Sequence, residues 1–157
     1  MARRVAISAC LLGHRCRYDG TDNRDSKLLG KLEGMELIPF CPEDFCFGTP
    51  RPTMDLVETE QGIKAISNLT GADLSPPVEA YARSFFDTHP QIDLFIGKDR
   101  SPSCGVCSAR LYDRQKKSLL TSTASGLMAA EAKHRGIECW DAEDYVSAHP
   151  APPIIGS

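Results

Sequence analysis

The chain has 157 residues, 41% of them hydrophobic and 25% charged, with a net charge of −3. That is the size and balance of one packed domain, and it excludes a disordered chain. No basic run suits a long nucleic acid, and no apolar run approaches a membrane span.

"MARRVAISAC" reads as a first strand that stops at Cys10, because its apolar run is too short for the core of a signal peptide. "LLGHRCRYDGTDNRDS" is rich in Gly, Asp and Asn and is expected to be a loop. "SKLLGKLEG" has helical spacing at Leu28, Leu29 and Leu32 and a stop at Gly34. "MELIPFCPE" is a second short strand ending near Cys41. "DFCFGTPRPTMDL" is broken by Pro and Gly and reads as a loop. "LVETEQGIKAISNLTGADLS" is read as two strands around a turn at Gln61-Gly62. "SPPVEAYARSFFDTHP" is an amphipathic helix with Ser75 as its candidate N-cap and Val78, Tyr81, Ala82, Phe85 and Phe86 on one face. "QIDLFIG" is a third strand. "SARLYDRQKKSLLTSTAS" is expected to be a turn-rich excursion anchored by Leu111 and Tyr112. "SGLMAAEAKHRG" is a helix ended by Gly136, "IECWDAEDY" is a fourth strand and its exit, and "SAHPAPPIIGS" is irregular.

Strands alternate with helices over residues 1–157 without a linker or a repeat. The expectation is a single α/β domain, a mainly parallel, Rossmann-like sheet with helices on both faces. Ligands collect outside the carboxyl ends of such strands. Cys10, Cys41 and Cys104 follow strands one, two and three, so parallel neighbouring strands would bring their thiols to one edge as a metal site. Seven cysteines are present, an odd number. In the cytoplasm, the expected location, thiols stay reduced and structural disulfides explain little.

Three chemistries suit these thiols. Iron–sulfur clusters take cysteine thiolates, and three ligands leave one iron free. Zinc nucleobase deaminases carry a ligand-x-Glu and a later P-C-x-x-C. Here Cys41-x-Glu43 and Pro102-Ser103-Cys104-x-x-Cys107 come close, with one extra residue, each motif following a strand where those enzymes use helix starts. Redox chemistry at Cys104 and Cys107 needs a helix N-terminus to lower one thiol pKa, and "SARLYD" is a weak helix.

The ordered motifs "ISACLLGHRCRYDG", "CPE", "GTPRP" and "GKDRSPSCG", with "SGLMAAEAKHRGI" near the end, resemble the thiouracil desulfidase family. The resemblance implies a 4Fe–4S cluster held by Cys10, Cys41 and Cys104 alone, with one iron free of protein ligands to receive sulfur. It implies catalytic roles for Glu43 and Ser101, and conversion of the C=S of thiouracil to C=O with release of hydrosulfide and no net electron transfer. Where many members have Gly-Leu-Pro before Thr-Pro-Arg, this chain has Phe45-Cys46-Phe47-Gly48. Tyr18 and Ser103 are candidates for substrate binding, and Arg51 for pairing with an acid to hold its loop. Cys16, Cys46, Cys107 and Cys139 are not assigned to the cluster. The expected partner is a small thiolated nucleobase. The alternatives are a zinc-dependent nucleobase hydrolase and a non-catalytic iron–sulfur or thiol sensor.

Overall fold

The computed structural model describes residues 2–116 and 118–150, and the tail beyond 150 lies outside them. Strand β1 (Arg4–Ser8) runs into a 3₁₀ turn at Ala9–Leu12. Then come α1 (Ser26–Lys31), β2 (Glu36–Phe40), α2 (Pro42–Phe47), the hairpin β3 (Met54–Thr59) and β4 (Gly62–Ser67), and α3 (Ser75–Thr88). The chain ends with β5 (Leu94–Gly97), β6 (Ala109–Tyr112), β7 (Leu119–Ala124), α4 (Leu127–His134), β8 (Glu138–Asp141) and α5 (Ala142–Ala148).

The first sheet has the order β2-β1-β5-β8 and is parallel throughout. Its strands are near-continuous apolar runs because both faces are covered. Val5, Ile7, Leu94 and Ile96 point to one face, under Leu28 of α1, Leu32 at its C-cap and Tyr145 of α5. Ala6, Phe40 and Phe95 point to the other, under Ala82, Phe85 and Phe86 of α3 and Met128 of α4. The rings of Phe40 and Phe95 stack at 4.9 Å. This is the expected doubly covered parallel sheet.

Three expectations change. The stretch read as a loop after Cys41 holds α2. Pro42 at its first position and Glu43 and Asp44 in its first turn suit a helix start, and Gly48 ends it. The stretch 108–125, read as a turn-rich excursion, is the antiparallel hairpin β6–β7. With β3 and β4 it makes a second, mixed sheet of order β4-β3-β6-β7, whose core joins Met54, Leu56, Ala65, Ala109 and Leu111 to Val78 of α3 and Leu127 of α4. Helix α3 is capped by Leu74, and the Ser75 hydroxyl is spent instead on the Ala65 amide, 2.7 Å away.

Candidate active site

Neighbouring parallel strands deliver the three thiols. Ser8 of β1 is opposite Phe40 of β2, and Ile7 is opposite Ile96 of β5, so all three strands end at the same edge. Cys10 sits in the 3₁₀ turn, whose Ala9 and Cys10 carbonyls are met by the amide of Gly13 at φ 100°, a left-handed conformation suited to glycine. Cys41 is the N-cap residue of α2. Cys104 lies in the loop after β5, and the bare backbone of Gly97 lets that loop close in: a Cβ there would stand 1.7 Å from the Cys104 carbonyl oxygen.

The 101–108 loop is held from behind. Asp141 at the end of β8 is 2% exposed. Its carboxylate accepts from the Val106 amide, the Cys107 amide and the Ser108 hydroxyl, each at 2.8 Å. At the start of α4, the Leu127 and Met128 amides donate to the carbonyls of Pro102 and Ser103 at 3.0 and 2.8 Å.

The edge opens into a cavity of about 660 Å³. Cys10, Cys16, Cys41, Cys104, Glu43 and Ser101 line it, with Tyr18 at the rim. Thr53, Asp55, Arg110 and Tyr112 of the second sheet and its approach form the far wall. Tyr18 is 43% exposed, with the Arg17 guanidinium 5.7 Å from its ring centre.

Each of the three thiols faces a hydrogen-bond donor. Asn23 Nδ2 approaches Cys10 Sγ at 3.6 Å. Hydrogen bonding from Cys16 favours ionised Cys10 and Cys41, and hydrogen bonding from Ser8 favours ionised Cys104. These donors favour the thiolate. Cys10 is drawn down to about 6, first by Cys16 and then by Asn23, Lys98 and Arg17 against the cost of burial. Cys41 is lowered chiefly by Cys16. Cys16, as the shared donor, is raised. Burial pushes Cys104 well up, opposed by Ser8.

This donor set fits a four-iron cluster, in which each cysteine takes its own iron and donors surround the sulfurs. Among the described residues no group of three or more His, Cys, Asp or Glu side chains is placed to hold a single metal ion. Cys41 does begin a helix, as a deaminase motif would, whereas Cys104 stays in a loop.

Glu43, in the first turn of α2, has its two oxygens on different partners. The Ser103 hydroxyl donates to Oε2 at 2.9 Å, and Arg51 Nε lies 3.7 Å from Oε1. Ser103 is fully buried and absent from the cavity lining, so the structure puts it behind Glu43 and away from any ligand. Ser101 Oγ accepts from the amides of Ser103 and Cys104 at 3.2 and 3.1 Å. With both lone pairs engaged, its own proton is left to point elsewhere. Arg51 pairs with an acid and holds its loop, as expected: its Nη atoms reach the carbonyls of Gly48 and Cys16 at 3.1 and 2.8 Å.

Cys46, Cys107 and Cys139 stay out of the cavity lining. Sequence reasoning left Cys16 unassigned and did not single out Ser8, Asn23 or Asp141. Cys16 and Asn23 flank the loop after Cys10, and only the fold of that loop brings them back. Asp141 was legible only as a residue in a strand exit.

The family model of 2-thiouracil desulfurase matches residues 5–144. An uncharacterized protein of Bacillus subtilis (strain 168), YbbK, is 27% identical over 140 residues, spanning 84% of this chain and 91% of its own. Among solved structures, a [4Fe-4S]-dependent thiouracil desulfidase, TudS, is 28% identical and superposes with a TM-score of 0.71, covering 93% of this chain and 94% of that one.

Proposed function

The chain belongs to the 2-thiouracil desulfurase family, and from that premise we propose how its cavity works. The protein is an iron–sulfur-dependent desulfidase that replaces the C=S of a thiolated pyrimidine with C=O and releases hydrosulfide. Cys10, Cys41 and Cys104 would hold the 4Fe–4S cluster. When bound, the cluster supplies a soft, Lewis-acidic iron suited to sulfur.

The protein's own groups do the rest. Glu43 takes a proton from water, which attacks the thione carbon. Ser103 and Arg51 hold the two carboxylate oxygens in place. Ser101 donates a hydrogen bond or relays a proton to the ring nitrogen or the departing sulfur, regaining its own as it does so. Tyr18 covers the base at the rim. The substrate is a small thiolated nucleobase, and a reducing cytoplasm suits a site of free thiols. No helix among the described residues is long and apolar enough to cross a membrane.

The observation that supports this reading is the convergence of three donor-flanked thiols, one carboxylate and one hydroxyl on a single cavity. The test is an anaerobic preparation assayed for iron, sulfide and zinc and then given 4-thiouracil. We expect about four irons per chain, a broad charge-transfer band and hydrosulfide release. Cys104→Ala should lose all three. One zinc per chain without iron would overturn the desulfidase mechanism and favour a zinc hydrolase. Iron without turnover would favour a sensor.

A further inference from the structure

Two of the described residues other than glycine have a positive φ. Lys116, at 58°, lies in the turn between β6 and β7, where chain reversal accommodates such a residue. Arg100, at 67°, stands immediately before Ser101 in the cavity wall. A residue with a Cβ keeps this shape only where its surroundings hold it, and such positions gather at functional sites.

Residues 98–101 form a tight turn closed by the Ser101 amide on the Lys98 carbonyl at 3.3 Å. Arg100 is at its third position, where a positive φ calls for Gly or Asn. Each residue leading to Ser101 is tied to a different element. The Lys98 amide donates to the Ser8 hydroxyl of β1 at 3.0 Å, and Asp99 Oδ1 accepts from the Glu143 amide of α5 at 3.0 Å. The Arg100 amide donates to the Ser108 hydroxyl at 2.8 Å, and Ser108 donates its own proton to the buried Asp141. Asp141 and Ser108 thus aim the peptide plane before Arg100, and the hydrogen bond that closes the turn aims the plane after it. The left-handed conformation of Arg100 reconciles the two. Its guanidinium points at Glu143, 3.2 Å away, but both partners are more than half exposed, and such a pair contributes little.

We propose that Arg100 is a positioning residue whose left-handed backbone, held by Ser108 and Asp141, sets where the Ser101 hydroxyl sits in the cavity wall. The part that Ser101 plays in the chemistry rests on the desulfidase reading. A change of φ at Arg100 swings Ser101 directly. Its hydroxyl then leaves the Ser103 and Cys104 amides, and its carbonyl leaves the Gly105 amide that it meets at 2.9 Å.

The test compares Arg100→Gly with Arg100→Val. Both lose the guanidinium and the pair with Glu143. They differ in backbone preference: glycine takes a positive φ freely, and a β-branched residue resists it most. A second pair, Ser108→Ala alone and Ser108→Ala with Arg100→Gly, approaches from the other partner and decides alone if the valine variant does not fold by circular dichroism. All are full chains loaded anaerobically with iron and sulfide. The readouts are kcat and KM for hydrosulfide release from 4-thiouracil, and hydrogen exchange of the peptide spanning residues 101–108, which needs no turnover.

Arg100→Val should have a kcat about 10–100-fold below that of Arg100→Gly, with KM within about twofold. Its Ser103 and Cys104 amides should exchange faster. Ser108→Ala should behave like the valine variant, and adding Arg100→Gly should restore most of both readouts. Equal kcat and equal exchange within each pair would overturn the proposal and leave the desulfidase reading intact. A difference confined to KM would also overturn it, by making residue 100 part of the substrate's pocket. Wild-type protein that releases no hydrosulfide would overturn the desulfidase reading, while the exchange comparison still decides whether Arg100 holds the turn.

Discussion

The base role proposed for Glu43 needs a fixed position, and at the residue scale one hydrogen bond and one ion pair hold its carboxylate. Glu43→Gln should lower kcat by about 10²–10⁴-fold in a loaded enzyme, read by hydrosulfide release. Ser103→Ala frees Oε2 without touching the cavity wall, so it should cost about 10-fold in kcat with little change in KM. If Ser103 instead bound substrate, KM would rise. The thiols make a separate prediction for protein freed of metal. Cys10 titrates near about 6 and is a thiolate above that pH, whereas burial holds Cys139 up at about 11. Alkylation of Cys10, followed by peptide mass spectrometry, should therefore rise through pH 6 and flatten by about pH 7. Alkylation of Cys139 should still climb about tenfold per pH unit there.

At the scale of elements, the site depends on how closely the Cys104 loop packs against the end of β5 and the start of α4. Gly97→Ala puts a methyl into the Cys104 carbonyl. Because the obstacle is backbone, the loop has to move, and the cost should reach about 3 kcal/mol, visible as a lower Tm together with poor iron loading. Asp141→Asn is subtler. The carboxylate accepts three hydrogen bonds on two oxygens. An amide offers one oxygen and turns an NH₂ toward a donor. The loss should be about 2–3 kcal/mol by denaturant unfolding, since the stranded amide is buried. Residue names reveal little of this, because a glycine ending a strand and an aspartate starting a helix are ordinary local features.

For the whole molecule, the cavity draws its lining from both sheets. The parallel sheet supplies the thiols, and the mixed sheet supplies Asp55, Arg110 and Tyr112. Helices α3 and α4 serve both, with Phe85, Phe86 and Met128 against the first sheet and Val78 and Leu127 against the second. Leu127→Ala should thus cost about 2–4 kcal/mol and lower a single unfolding transition for the whole chain, followed by calorimetry. Two separate transitions would mean that the sheets unfold independently.

The parallel sheet was legible in the sequence because buried strands are short apolar runs and their helices carry a 3.6-residue stripe. The placement of Cys10, Cys41 and Cys104 at one edge followed from that pattern, since parallel neighbouring strands share a carboxyl end. The hairpin of β6 and β7 was not legible: its second strand, Leu119–Ala124, has no buried residue, with Thr and Ser where alternation would show. Helix α2 was hidden by its length of six residues, too short for a period to appear. The company each side chain keeps was settled only by tertiary structure. Ser103 behind Glu43, Asp141 under the Cys104 loop and the Cys16 carbonyl against the Cys41 thiol are contacts between residues 60, 35 and 25 positions apart. Local sequence fixes the conformation of each segment, and chain packing decides which polar groups meet.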